Sequence, residues 1–134
     1  MTKYLFMRER ARDKGRINDN IEYSKDVEKL IANVAFDDFT SDIRTFYAVM
    51  KNIEIVGEAA YMLTNDFKST HPGTPWSTIQ GMRHVLVHGY ASVNSTTLYE
   101  TALYGIPELH QQAEQYMRET DWDAWASPLA NETI

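Results

Sequence analysis

The sequence predicts an all-α protein, an up-and-down bundle of four to five helices. Apolar residues recur at three- and four-residue steps along most of the chain, the period of one face of an α-helix. Short stretches rich in Pro, Gly, Ser, Thr or Asp separate these runs, as connections in a bundle require. No repeat, GxGxxG or phosphate loop interrupts the pattern.

The first amphipathic stretch is "INDNIEYSKDVEKLIANV", with Ile17, Ile21, Ser24, Val27 or Glu28, and Ile31 on one stripe. Asn18 and Asn20 weaken its beginning, which puts the helix start between about residues 8 and 18. "AFDDFTSDI" reads as a break with at most one short turn. In "SDIRTFYAVMKNIEIVGEAAYMLTNDF", Ile43, Phe46, Met50, Ile53, Gly57, Ala60 and Phe67 form a near-heptad seam capped by Ser41 or Asp42. That predicts one helix of about seven turns. Gly57 in its middle costs roughly 1 kcal/mol against alanine, which points to close approach of another helix. "STHPGTPW" is a loop in which Thr74 is the expected cap and Pro75 the first helical residue. A third helix runs from Trp76 towards Tyr90, and a fourth helical region spans "TLYETALYGIPELHQQAEQYMRE" with a kink or restart at Pro107. The tail "TDWDAWASPLANETI" reads as poorly ordered. The expected organisation is a basic N-terminal segment (1–16), a helical domain (17–118) and a tail (119–134).

With 134 residues, 43% hydrophobic and 24% charged, the chain is an ordinary single folded domain. The absence of cysteine excludes disulfides and thiolate chemistry and fits a reducing compartment. No apolar run approaches the ~20 residues of a membrane span, so a soluble, cytoplasmic protein is expected. The net charge of −6 argues against non-specific nucleic-acid binding. Charge is uneven, however: residues 1–16 hold six basic groups against two acids, a balance of +4. Arg8, Arg10, Arg12 and Arg16 are therefore candidates for steering a polyanion, or are simply a solvated helix start.

The chemistry concentrates in "GMRHVLVHGY" (81–90), which holds two of the four histidines. Counting ~100° per residue from Arg83, Ile79, Met82, Leu86 and Gly89 cluster between about 240° and 320° as the core side. His84 and His88 fall at about 100° and 140°, roughly opposite, and Tyr90 returns to about −20° if the helix passes Gly89. The histidines are expected to face solvent or another chain. Three readings compete. One is an idle surface helix. A second is zinc chelation by an i, i+4 histidine pair, but neither His71 nor His110 signals a third ligand by its spacing. The third is acid–base chemistry on a phosphodiester. An imidazole of pKa ~6.5 both takes and gives a proton near neutrality, and an arginine fork binds phosphate oxygens. No metal or other cofactor is then needed if the substrate is RNA, whose 2′-hydroxyl is the nucleophile. Arg83 and His88 lie about 140° apart around the helix and ~7.5 Å along it. A two-fold dimer of such helices would gather both copies around one cleft.

R-x-x-x-x-H-x-Y, here Arg83, His88 and Tyr90, resembles the signature of HEPN-domain ribonucleases, specifically the HepT-like toxins. "NIEIVGEAAYML" (52–63), "HPGTPWSTIQGMRHVLVHGY" (71–90) and "IPELHQQAEQY" (106–116) also resemble that family's second, third and last helices, in order. The similarity covers residues 17–118. It implies a HEPN-like bundle, a homodimer with the Arg83 and His88 pairs in one composite cleft, and metal-independent cleavage of RNA, tRNA being a candidate substrate. It also implies a minimal nucleotidyltransferase antitoxin that adds AMP to Tyr90. His84 stands where the subfamily most often has asparagine, which leaves its role open between orienting Arg83, contacting phosphate and sharing proton transfer. Glu54 and Glu58 belong to the second-helix block, either holding the bundle or orienting Arg83. The rival expectation is a non-catalytic helical partner that helps a nucleotidyltransferase hold its substrate.

Overall fold

A computed structural model describes the backbone of residues 2–127 and side chains from Glu9 onward. The described residues are helical without strands, as the periodicity predicts. Four long helices make the bundle: α1 (Thr2–Ile31), α3 (Ile43–Tyr61), α5 (Trp76–His88) and α7 (Ile106–Glu119). Four short ones fill the connections: α2 (Phe36–Ser41), α4 (Asn65–Thr70), α6 (Ser95–Glu100) and α8 (Trp122–Ala126). α1 packs on α3 and α7, α3 packs on α5, and α8 lies on α1.

α1 starts well before the expected position and runs unbroken past residue 16. Asn20 is the reason its asparagines do not break it. Its side chain is buried and donates to the Val56 carbonyl of α3 at 3.1 Å, so its polarity is used between helices. Asn33, at φ 60°, then ends α1 in the left-handed conformation that asparagine tolerates.

Asp42 caps α3, accepting from the backbone N–H groups of Arg44 and Thr45 and from the Thr45 hydroxyl. That hydroxyl, more than the backbone donors, holds the Asp42 carboxyl below its usual range. The cap is therefore intact above the ordinary carboxylate range and is lost as pH falls through the lowered value. The single seven-turn helix expected here is in fact two. α3 stops at Tyr61, and Thr64 caps α4 through its hydroxyl, which accepts from the Phe67 N–H at 3.2 Å. Of the seam residues, Ile53, Gly57, Ala60 and Phe67 are buried while Ile43 is exposed, and Val49, Val56 and Ala59 widen the buried face.

Thr74 does not cap α5. It is buried, and its hydroxyl bridges Gln112 (2.8 Å) and Tyr116 (2.5 Å), tying the loop to α7. Gly89 ends α5 one residue before Tyr90, which opens a short 3₁₀ turn over Tyr90–Ser92. α6 passes into α7 through a π turn at Thr101–Gly105, placing Pro107 in the first turn of α7, immediately after the change in helical hydrogen bonding.

The described part of the C-terminal segment, through Ser127, is docked, contrary to the composition; residues 128–134 of the expected tail lie outside the described residues. Phe67 is fully buried with Trp122 stacked on it at 5.9 Å and Trp125 edge-on at 5.6 Å. Asp13 joins three segments. Buried on α1, it accepts the Thr64 N–H (2.9 Å), the Thr64 hydroxyl (2.6 Å) and the Trp125 indole N–H (2.8 Å). Each hydrogen bond to a charged group is worth about 1.5–3 kcal/mol, and its loss strands a buried donor. Asp13→Ala is expected to destabilise the fold by about 3 kcal/mol or more, a melting-point drop of roughly 10 °C. Calorimetry checks this, and a change below ~1 kcal/mol would contradict the role assigned to Asp13.

Candidate active site

α3 and α5 approach closely at Gly57. A Cβ built on that glycine would lie 2.8 Å from the Arg83 Cβ and 3.4 Å from its Cα. The close approach expected of Gly57 is thus made by α5, at Arg83 itself. It brings the guanidinium against two further side chains of α3. Arg83 Nε donates to the Glu58 carboxylate at 2.7 Å, and the guanidinium carbon sits 4.3 Å from the centre of the Tyr61 ring. One group fixes the fork's direction and the other supports its face. Arg83 is largely buried while Glu58 is half-exposed. Such a pair adds little to stability; its effect is to hold the guanidinium in place. Of the two glutamates considered from sequence, Glu58 orients Arg83, and Glu54 pairs with Lys51 on its own helix at 2.8 Å.

The histidines stand elsewhere on α5. Ile79 and Leu86 are buried and Met82 is partly so, while His84 and His88 are exposed, as the helical count expects. Their ring centres are 4.7 Å apart, and among the described residues neither has a hydrogen-bond or ion-pair partner. Val85 beside them is 49% exposed and Tyr90 62%. The structure does not gather Arg83 and His88 of this chain at one point: the arginine is gripped on the α3 side and the histidines face outward.

The remaining histidines serve the fold. His71 stacks on Phe67 with ring centres 4.0 Å apart, and its Nδ1 is 2.7 Å from the Phe67 carbonyl. His110 of α7 lies between Glu28 of α1 and Glu114. Among the described residues no three His, Asp or Glu side chains gather as a ligand set for a metal ion, and no helix is long and apolar enough to cross a membrane.

The N-terminal arginines divide. Arg10 does not face solvent: it is buried, with its guanidinium 3.7 Å over the Trp125 ring, so it packs the C-terminal helix and is not placed to steer a ligand. Arg12 and Arg16 line a polar cleft of about 370 Å³ with Tyr61, Asn65, Lys68 and Gln80. The Arg8 side chain lies outside the described residues. Burial pushes the Lys68 ammonium below the usual lysine range, and Asp13 pulls it partly back. Tyr61, Lys68 and Gln80 were not singled out from sequence. The spacing of Gly57, Glu58 and Tyr61 over one turn was the available signal, but it has no meaning until the partner helix is known.

The family model described as Ribonuclease HepT-like matches residues 21–116, which include Arg83, His88 and Tyr90. The chain belongs to the HepT-like ribonuclease family. It is 35% identical over 102 residues to a protein of Thermococcus cleftensis named a probable ribonuclease HepT, covering 76% of this chain and 93% of that one. It is 31% identical over 108 residues to a Methanocaldococcus jannaschii protein provisionally named an RNase, covering 81% and 89%. A similarly named protein of Caldanaerobacter subterraneus subsp. tengcongensis is 36% identical over 88 residues, covering 66% and 79%. No solved structure is a significant match.

Proposed function

We propose that this HepT-like ribonuclease is a metal-independent endoribonuclease toxin whose partner is a minimal nucleotidyltransferase antitoxin, and that it works as a homodimer. The observation that carries the reading is the division of labour on α5. Arg83 is held rigidly by α3, and His84 and His88 are exposed without a partner in their own chain, among the described residues. A guanidinium and an imidazole about 140° apart around one helix serve one phosphate poorly. Two copies related by a two-fold axis offer each other the missing group. Half-exposed Val85, between the histidines in sequence, supplies apolar surface for such a contact.

In this reading an RNA strand lies between the two α5 helices. His88 takes the proton of a 2′-hydroxyl, whose oxygen attacks the adjacent phosphorus. The bond from phosphorus to the 5′-oxygen breaks, and that oxygen takes a proton from an imidazolium of the pair. The products are a 2′,3′-cyclic phosphate and a free 5′-hydroxyl. Arg83 stabilises the charge gathering on the non-bridging oxygens. His84, its ring beside that of His88, is the auxiliary proton carrier or phosphate contact.

Tyr90 provides the control point. It is exposed at the start of a turn just beyond His88, open to an enzyme that joins its hydroxyl to the α-phosphate of ATP and releases pyrophosphate. Each AMP adds a negative charge and a base beside the RNA cleft, which repels and blocks the substrate.

Purified protein incubated with tRNA in excess EDTA is expected to cleave it. His88→Ala and Arg83→Ala are each expected to lower the rate by about 10²–10⁴-fold. Absence of cleavage by clean, unmodified protein would instead support the non-catalytic partner of a nucleotidyltransferase. Co-expression with that nucleotidyltransferase should add mass in AMP units to the wild type and none to Tyr90→Phe. Intact-mass spectrometry checks this, and a Tyr90→Phe protein that still gains the mass refutes the acceptor assignment.

A further inference from the structure

The cleft beside Tyr61 has no part in the chemistry at His88, yet its composition is unusual for this acidic chain. α1 contributes Arg12 and Arg16, one turn apart, α4 contributes Asn65 and Lys68, and α5 contributes Gln80. Glu9 is the carboxylate among its lining residues, so three cations face one anion in a molecule whose net charge is −6. Among the described residues, neither Arg12 nor Arg16 has a hydrogen-bond or ion-pair partner. Lys68 donates to the Tyr61 carbonyl at 3.2 Å, with its ammonium 6.0 Å from the centre of that ring.

Like charges one turn apart on a helix repel, and Lys68 is partly desolvated as well. Lys68 satisfies the last carbonyl of α3, but the Arg12 and Arg16 pair makes no such contact among the described residues, whereas an anion in the cleft would offset their repulsion. The cleft is also joined to the site. The Tyr61 ring that lines it carries the Arg83 guanidinium at 4.3 Å, so a strand bound at Arg83 has this cleft beside it along α3.

We infer that the cleft of Arg12, Arg16 and Lys68 is a phosphate-binding subsite for the RNA segment flanking the scissile bond, reached from Arg83 across Tyr61. The inference rests on the ribonuclease reading and adds to it where the rest of the strand lies. Contacts of this kind position a strand without reading its bases. The amide side chains of Asn65 and Gln80 are additional donors for phosphate oxygens.

The test is the binding of fluorescently labelled single-stranded RNA, followed by anisotropy over a series of salt concentrations. It uses the full chain carrying His88→Ala so that no cleavage intervenes. Adding Arg12→Gln, Arg16→Gln and Lys68→Gln together is expected to weaken binding at least ~10-fold, equally for unrelated sequences. The dependence of log affinity on log salt should become shallower by about 2, at ~0.7 per phosphate contact in a single strand. Asn65→Asp guards against misfolding of the triple variant. Its carboxylate suits the first turn of α4 yet repels phosphate, so it too should weaken binding with the helical signal unchanged. Unaltered affinity and salt dependence in both variants, while the parent binds RNA, would overturn the subsite and leave the nuclease standing. A parent that binds no RNA would overturn both.

Discussion

Gly57 is the constraint on which the candidate site depends. Because it lacks a Cβ, α3 comes within contact of the backbone of α5 at Arg83, and every other feature of the arginine follows. At that separation Glu58, the next residue on α3, meets the guanidinium at 2.7 Å, and Tyr61, one turn further on, lies under it at 4.3 Å. A larger residue at position 57 would push α5 outward and leave the fork without a fixed direction. The same contact turns Arg83 towards α3 and so presents His84 and His88 on the far side of α5. The separation of Arg83 from the two histidines is therefore a consequence of how tightly the arginine is held.

A second polar centre ties this arrangement to the ends of the chain. Asp13 fastens α1 to the junction between α3 and α4 and to α8. Arg10, one turn earlier, packs against Trp125. These contacts fix the break after Tyr61, and with it the place where Tyr61 and Lys68 stand relative to Arg12 and Arg16. The N-terminal half of α1 and the tryptophans near the other end thus belong to the same structure as the motif helix, and α1 forms one wall of the basic cleft.

Much of this was legible in the sequence, and the reason is periodicity. Ile79 and Leu86 fix which side of α5 is core, so the exposure of His84 and His88 followed from counting residues. Gly57 was readable as a close approach because mid-helix glycine is costly, although its partner was not. What stayed hidden depends on contacts between residues far apart in the chain. Nothing local marks Asp13 as an acceptor for Thr64 and Trp125, so the sequence alone predicts too late a start for the first helix and a loose tail. Thr74 had the sequence of a cap, but Gln112 and Tyr116 claim its hydroxyl. The heptad seam was extended through Tyr61 because Phe67 is apolar and in phase; the Asp13–Thr64 contact overrides that phase. Arg10 resembled its neighbours Arg12 and Arg16 until Trp125 was placed over it.

The most direct measurement is the single-turnover rate of RNA cleavage by Gly57→Ala compared with Gly81→Ala. A Cβ at Gly81 meets nothing within 4 Å, whereas one at Gly57 strikes the Arg83 side chain. With circular dichroism confirming that both variants are folded at the assay temperature, Gly81→Ala should cleave at the wild-type rate. Gly57→Ala should be slower by at least ~10-fold, the scale expected when a transition-state group is misplaced by a fraction of an ångström. A folded Gly57→Ala protein that cleaves as fast as wild type would contradict the proposal that α3 sets the position of an arginine used in cleavage.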